Sequence, residues 1–522
     1  MILTVAATLV WGCGGGSGTV AEGGAAADAR EAAVAMDGPP ADAAADGAPG
    51  DASDASVPDG MPGDAGAPDA PAPLCVACLS VRLGRPLVVR GPFADELDTA
   101  FNEVRLNSGR FRGFTANGST YAVDGDEPWA MGGARTLVMA PGAGECGRWL
   151  NGTEKVGGVL HGWVHIETDC NYALGQTHKQ MAHATSTDEG LTWSAPEPII
   201  TGTDSPATGT ITGEGDCTAV NGGDGFLYAY CLRNRDWRTI VARAPLDTPG
   251  SGYWSKYLAG AWTAPALGGD ATALGPLGVG AGRWVERDTI LLLGCQADGL
   301  RMAFSADRTT FTPLSEPLVP LENQTWTRPA PSELYMYAST MSQSDASTEL
   351  GAAWLLAHAY LEPGEDFSQR YLVLRDVSFS VAANAVTPQV GLALSRWYGA
   401  GAKDRWTTTA PVPGNYGAYA YEALLGYVMT APHPTLPTVK LEDCVTTWPG
   451  HPDHLLTQDG TCAGAGYTRL RTAGYVYAAP QPDTVALYRC YNPTEQHHFG
   501  STAADCEGLG TAEWALGYAL AH

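Results

Sequence analysis

The sequence predicts an all-β chain of repeated strand units, preceded by a stretch too poor in large apolar residues to build a core. Three observations carry this. Apolar runs are short and separated by Gly, Asn, Asp and Pro, as in Thr136-Leu-Val-Met-Ala, Phe226-Leu-Tyr-Ala-Tyr, Thr289-Ile-Leu-Leu-Leu and Tyr371-Leu-Val-Leu, and few segments show helical periodicity. The stretch Ser186-Thr-Asp-Glu-Gly-Leu-Thr-Trp193 has the chemistry of a hairpin turn: an Asp that accepts from its own turn, a Gly for positive φ and a Trp to pin the hairpin. It returns in weaker form at Ser305, Asp307 and Phe311, and Arg243-Ala-Pro-Leu with Tyr253-Trp254-Ser-Lys-Tyr makes a third hairpin without the Asp. Recurrence at roughly 60-residue spacing suggests the blades of a propeller. Finally, the last quarter of the chain repeats itself three times.

In chain order, Met1 to Gly12 is apolar and ends at Leu9-Val-Trp-Gly-Cys13. This resembles a bacterial lipoprotein signal, which implies export, cleavage before Cys13 and acylation of that Cys (residues 1–13). No other segment approaches the ~20 apolar residues of a membrane span. Residues 14–74 are almost all Ala, Gly, Asp and Pro; between Gly14 and Pro73 there are 11 acidic residues and one basic. Such a stretch lacks aromatics, stays disordered and acts as a tether. Residues 75–389 then form the propeller, either five blades of about 60 residues or six of about 50, with five expected.

Residues 390–522 carry the threefold pattern. Leu394, Leu441 and Leu487 open the copies. Asp404-Arg405-Trp406, Asp453-His454-Leu455 and His497-His498-Phe499 occupy one place within them, and Gly426-Tyr427, Gly474-Tyr475 and Gly517-Tyr518 close them. Three β repeats of this length suggest a β-trefoil-like domain. The pattern resembles a three-repeat domain of unknown function found at the C-terminus of secreted bacterial proteins. Its position beside a propeller makes carbohydrate binding the expected role.

Net charge is −26, with only 30 Lys and Arg, so nucleic acid is excluded as a partner. The expected partners are a poly- or oligosaccharide and, through Cys13, a membrane; the chain is expected to be a monomer. The 15 Trp and 21 Tyr suit either sugar binding or buried hairpin packing. Of the 12 Cys, Cys444 and Cys490 align between repeats, as do Cys462 and Cys506, which predicts Cys444–Cys462 and Cys490–Cys506 disulfides. Cys217 and Cys231 flank Asn-Gly-Gly-Asp-Gly and bridge a hairpin. Cys146–Cys170 and Cys75–Cys78 are further pairs, which with Cys13 acylated leaves Cys295 unpaired. No Cys/His spacing suits zinc, and His497-His498 reads as a turn and packing feature.

Two polar interruptions of strand-like sequence are candidate chemistry. In His161-Gly-Trp-Val-His-Ile-Glu-Thr-Asp-Cys170, alternation puts Trp163, His165 and Glu167 on one face. A His beside a Glu is costly in a dry core and suits either a polar pocket or a satisfied network at a blade edge. In Thr212-Gly-Glu-Gly-Asp-Cys-Thr218, Gly flanks Glu214, and Glu214 and Asp216 share a face if the segment is extended; an acidic turn or calcium loop is the other reading. A third acid comes from Asp95, Asp98 or Glu103. Arg243, Trp284 and Arg135 are candidate substrate contacts. Glycoside cleavage needs one protonated carboxyl and one ionised carboxylate. Glu167 or Glu214 is then the acid, and Asp216 or an early-blade Asp such as Asp98 the base. No catalytic metal is expected, and structural calcium in the channel is the one cofactor option.

The Ser-x-Asp-x-Gly-x-Thr-Trp match at Ser186–Trp193 resembles the Asp-box of sialidases and other carbohydrate-active propellers. In those families the box is structural and away from the active site. The domain, through His161–Gly269, also looks like the five-bladed glycoside hydrolases of family 43, which implies glycan cleavage at the cell surface. The Arg-Ile-Pro motif and Arg triad of sialidases are missing, so sialidase activity is not implied. Two other readings compete: a non-catalytic carbohydrate-binding adhesin, and a structural lipoprotein that binds other proteins.

Overall fold

The structure is a computed structural model that describes residues 74–342, 347–381, 387–412, 419–446, 451–458, 460, 462 and 466–521. The predicted signal, the acylated Cys13 and the tether up to Pro73 lie outside the described residues. What is described is all-β, with a few single-turn 3₁₀ segments, and its residues pack as one compact unit. None of its helices is long and apolar enough to cross a membrane.

Five sets of antiparallel strands come first in the chain, each named a sheet below, with the second and third joined by a parallel pairing of Ile211–Gly213 with Thr177–Lys179. Sheet I contains β3 (Asn102–Arg105), β4 (Phe111–Asn117), β5 (Ser119–Gly125) and β6 (Arg135–Met139). Sheet II contains β7 (Glu145–Val156), β8 (Val159–Asn171), β9 (Gln176–Ser186) and β10 (Glu197–Thr201). Sheet III contains β11 (Ile211–Asn221), β12 (Phe226–Arg233), β13 (Arg238–Pro245), β14 (Ser255–Leu258) and β15 (Ala261–Pro265). Sheet IV contains β16 (Gly280–Trp284), β17 (Thr289–Gln296), β18 (Gly299–Ser305), β19 (Thr312–Pro313) and β20 (Val319–Pro320), with the short β22 (Glu349–Leu350) parallel to β16. Sheet V contains β21 (Leu334–Met341), β23 (Ala353–Leu361) and β24 (Arg370–Val381). It is completed from the other end of the chain by β1 (Leu79–Leu83) and β2 (Leu87–Phe93), both antiparallel to β24.

The first strands of the five sheets, β3, β7, β11, β16 and β21, touch one another in cyclic order. Side chains tie the ring: Ser339 on β21 donates to Phe101 O (2.6 Å), and Thr340 donates to Ala281 O on β16 (3.0 Å). The outward-facing residues of each sheet interleave with those of the next, for example Trp163 with Trp254 between sheets II and III.

The Ser186–Trp193 turn joins β9 to β10. The Thr192 N–H and hydroxyl donate to the Asp188 carboxylate (2.9 and 2.6 Å), the Gly190 N–H donates to Ser186 Oγ (2.8 Å), and Trp193 Nε1 donates to Gly190 O (3.1 Å). The second copy follows β18, where Asp307 accepts from Ser305 Oγ and the Thr309 and Thr310 N–H groups (2.9, 2.8 and 2.6 Å). The third predicted hairpin joins β13 to β14. All three therefore link the third strand of a sheet to its fourth.

The C-terminal part is three units of three strands: β25 (Val390–Gly399), β26 (Asp404–Thr408) and β27 (Tyr419–Met429); β28 (Thr438–Thr446), β29 (Asp453–Thr457) and β30 (Tyr467–Tyr477); β31 (Thr484–Asn492), β32 (His497–Ser501) and β33 (Thr511–Leu520). In each unit the first strand pairs with both others. The repeat motif builds a cyclic contact. Asp404 accepts from the His454 N–H and Nδ1 (3.1 and 2.6 Å), Asp453 accepts from the His498 N–H and Nδ1 (2.6 and 2.8 Å), and Arg405 Nη1 donates to His497 Nε2 (3.3 Å). The closing glycines share one conformation, φ 137°, 141° and 138°. A Cβ there would meet the preceding unit of the cycle, 2.7 Å from Leu520 O for Gly426 and 2.5 Å from Val428 and Val476 for Gly474 and Gly517.

β25 runs parallel to β1, Val390–Leu392 against Val81–Leu83. One apolar core passes through this seam, from Leu291 and Phe304 in sheet IV through Val81 and Val377 to Leu441 and Leu487 in the repeats. Between described residues, five disulfides join Cys75–Cys78, Cys146–Cys170, Cys217–Cys231, Cys444–Cys462 and Cys490–Cys506. The expectation that Cys295 is unpaired is overturned: this buried β17 residue is itself disulfide-bonded. That expectation followed from setting Cys13 aside and from nothing in the surroundings of Cys295.

Candidate functional site at the axis of the five sheets

Carboxylates from three sheets meet at the axis. Asp98 precedes β3, Glu167 lies near the end of β8, and Asp216 lies within β11. Lys179 on β9 bridges two of them, its Nζ 2.9 Å from Asp216 and 3.6 Å from Glu167. One ammonium against both puts these carboxyls well inside the ~10 Å span of two-carboxylate glycosidases. Asp98 pairs with Arg370 (3.0 Å), which opens β24, and accepts from the Tyr337 hydroxyl on β21 (2.9 Å).

His165 organises the centre. The Asp216 N–H donates to its Nδ1 (3.0 Å), so Nε2 carries the proton and donates to Glu167 (3.2 Å). Tyr172 adds a second donor to Glu167 at 2.8 Å. Gly215 makes the approach of β11 possible: a Cβ there would lie 2.6 Å from His165 Nδ1 and 3.0 Å from Lys179 Cβ. The glycines beside Glu214 therefore admit neighbouring strands and do not clear space for its carboxylate.

The environments push the acids apart. Burial raises the Asp98 carboxyl and outweighs Arg370 and the Tyr337 hydroxyl. Burial also opposes charge on Glu167, but the His165 hydrogen bond, Lys179 and Tyr172 win and lower it to about 2. Lys179 is fully buried; Asp216 and Glu167 outweigh its desolvation and keep it charged. Thr99, Asn151, Asp216 and Tyr337 line a cavity of about 10 Å³, room for one water.

The structure separates the other predicted site residues from this cluster. Glu214 and Asp216 do not share a face, because Asp216 takes φ 54° and the β11–β12 register slips between Gly215 and Thr218. Glu214 is turned into sheet III, where it pairs with buried Lys256 at 2.7 Å. Trp163 is on the His165 face but is core, stacked on His183 and edge-on to Trp254. Arg243 lies over Phe226 and Trp262 within sheet III, and Trp284 packs against Phe379. Arg135 pairs with Asp95 and Glu96. Glu103 is buried and lies against Ser342.

Sequence reasoning missed Lys179, Tyr172, Tyr337 and Arg370. The available signal was a charge opening or interrupting an apolar strand, as in Arg370-Tyr-Leu-Val-Leu. Calcium does not fit the cluster, since the Lys179 ammonium lies between the two carboxylates that would hold it. Among the described residues, no group of three or more His, Cys, Asp or Glu is placed to bind a metal ion.

No protein-family model and no curated protein matches the chain. Solved structures with a similar arrangement of strands include several glycoside hydrolases and a Dyadobacter fermentans protein of unknown function. The catalytic domain of a Coprinopsis cinerea GH62 alpha-L-arabinofuranosidase matches with TM-score 0.38 and 13% identity over 58% of this chain and 98% of that one. A glycosyl hydrolase from Bacteroides ovatus matches with TM-score 0.31 and 12% identity over 54% and 83%. A GH130-family structure, whose family is described as containing glycoside hydrolases that target beta-1,2 mannosidic linkages in Candida mannan, matches with TM-score 0.29 and 14% identity over 54% and 84%. At these scores the likenesses carry no argument about chemistry, which rests on the residues above.

Proposed function

We propose that the five sheets are the blades of a five-bladed propeller and that its axial cluster hydrolyses a glycosidic bond in an oligo- or polysaccharide. One observation carries this reading: carboxyls from three sheets converge with environments pushed in opposite directions, Asp98 towards the protonated form and Glu167 towards the ionised one. Asp98 is the proton donor to the departing sugar oxygen. Asp216, beside the one-water cavity, accepts the proton of the attacking water. Glu167, too acidic to donate a proton near neutrality, positions His165 and Lys179. This moves the acid from Glu167 to Asp98, keeps Asp216 as the base and leaves Glu167 a positioning role.

The three C-terminal units are read as a β-trefoil-like domain that holds the protein to polysaccharide. The disulfides suit an oxidising compartment, and the apolar stretch before Cys13 is read as an export signal. The Lys179 ammonium between two acids favours the second reading, a propeller that binds glycan without cleaving it.

Hydrolysis of a panel of aryl glycosides and of plant and microbial polysaccharides decides between them. Asp98→Asn and Asp216→Asn should each lose at least ~10²-fold, with Arg243→Gln near wild type. Turnover unchanged in Asp98→Asn would sink the acid assignment. Retention on a polysaccharide column without turnover of any substrate would establish the binder.

A further inference from the structure

A cavity of about 700 Å³, lined by none of the acids of the axial cluster, lies between the Pro317–Glu333 region and the second C-terminal unit. This is the size and setting of a small-molecule site. The second unit is also the one that breaks the threefold pattern. In units one and three an Arg pairs with a Glu on the third strand, Arg396 with Glu422 (2.8 Å) and Arg489 with Glu513 (2.5 Å). In unit two Asp443 stands at the Arg position and Leu470 at the Glu position, with Arg469 and Arg471 on either side.

Both new arginines face the cavity and both are neutralised there. Arg469 grips Glu322 with two contacts (2.7 and 2.6 Å). Arg471 pairs with Glu333 and Asp443 (2.8 Å each). The third acid of the lining, Asp298, pairs with Arg301. Every arginine of the cleft is thus matched by at least one acid, which leaves no surplus positive charge to attract a phosphate or a carboxylate. It does have unmet hydrogen-bonding capacity. Arg471 Nε is buried without a partner, its side chain nine-tenths buried, and Ser332 Oγ, also in the lining, is buried without one.

We infer that this cleft binds a neutral saccharide. A sugar hydroxyl both donates and accepts, so a polyol can meet a bare guanidinium N–H, a Ser hydroxyl and the outer edges of Arg–Glu pairs together. Tyr475 in the lining, only partly buried, offers a ring face for the apolar side of a pyranose. The site is independent of whether the axial cluster is catalytic.

The test is saturation-transfer NMR and calorimetry on the full chain with cellobiose, xylobiose, mannobiose, arabinobiose and, as an anionic counterpart, glucuronate. At least one neutral disaccharide should bind. Leu470→Trp, which fills the cleft, should weaken it tenfold or more. Ser332→Ala, a change too small to disturb folding, should weaken it several-fold. Asp216→Asn should leave this binding intact whatever it does to turnover. Three outcomes overturn the inference: no neutral sugar bound, binding indifferent to Leu470→Trp and Ser332→Ala, or glucuronate bound more tightly than every neutral sugar.

Discussion

The two ends of the ring treat buried acids in opposite ways. Where Tyr337 enters from β21, Asp98, Glu167 and Asp216 are held beside two buried cations, Arg370 and Lys179. Where the chain leaves β21, Glu103 lies against Ser342 and Glu154 against Thr348, with no cation paired to either among the described residues. Burial raises both of these glutamates to about 8. One end keeps Glu167 and Lys179 charged by pairing them; the other sheds charge by keeping protons. Pairing is the costlier arrangement, because each ion must be desolvated and exactly matched in position. Its presence at one end only marks where the molecule needs ionised groups.

Removing the bridge tests the contrast most severely. Lys179→Met leaves Glu167 and Asp216 buried without a counter-charge and should cost about 3–5 kcal/mol in denaturant unfolding at pH 7. A loss below about 1 kcal/mol would mean the carboxylates do not depend on the ammonium.

The unpaired end should respond with the opposite sign. Native Glu103 and Glu154 hold their protons up to about 8, while an unfolded glutamate releases its proton near 4.5. Stability therefore falls as pH rises between those values. Glu103→Gln and Glu154→Gln should each stabilise by roughly 2–4 kcal/mol at pH 8 and by almost nothing at pH 4. Unfolding curves at the two pH values check this, and an equal gain at both would contradict it. Glu167 runs the other way. Its pKa is lowered, so its contribution is complete above about 4.5 and is lost as pH falls towards about 2.

The smallest effect refines the paired end. Tyr172→Phe deletes one of the two hydrogen bonds to Glu167. It should cost about 1 kcal/mol and move the Glu167 carboxyl resonance to titrate higher than in wild type. An unmoved titration would assign the depression to Lys179 and His165 alone.

Much of the architecture was legible because it is local. Alternation marked β8 and put His165 and Glu167 on one face. Aligned cysteines in the repeats marked two bridges, and the Ser-x-Asp turn marked where third strands pass to fourth. The axial cluster was only half legible. Its acids interrupt strand sequence and attract notice, but Lys179, Tyr337 and Arg370 reach it from strands that share no local pattern with Asp98 or Asp216. Alternation also failed at Gly213–Thr218. The bulge at Asp216 turns it to the axis while Glu214 faces Lys256. No count of residues reveals a bulge that the packing of Gly215 on His165 creates. Trp163 looked like a ligand contact for the same reason His165 did, and only depth along a 13-residue strand separates them.

The pairing of β1 with β24 has a bearing on synthesis. The first strand made must wait for a partner about 300 residues later, Leu79 for Val381. At ribosomal speeds that delay is roughly 15–60 s. Throughout it, β1 is a bare edge carrying Val81 and Leu83, open to the β24 of a neighbouring nascent chain. The fold can lock only at the end of its first three-quarters, and β25 then seals the other side of β1. The last repeats thus act as a clasp over the join, and crowding on a polysome is the circumstance most dangerous to this chain.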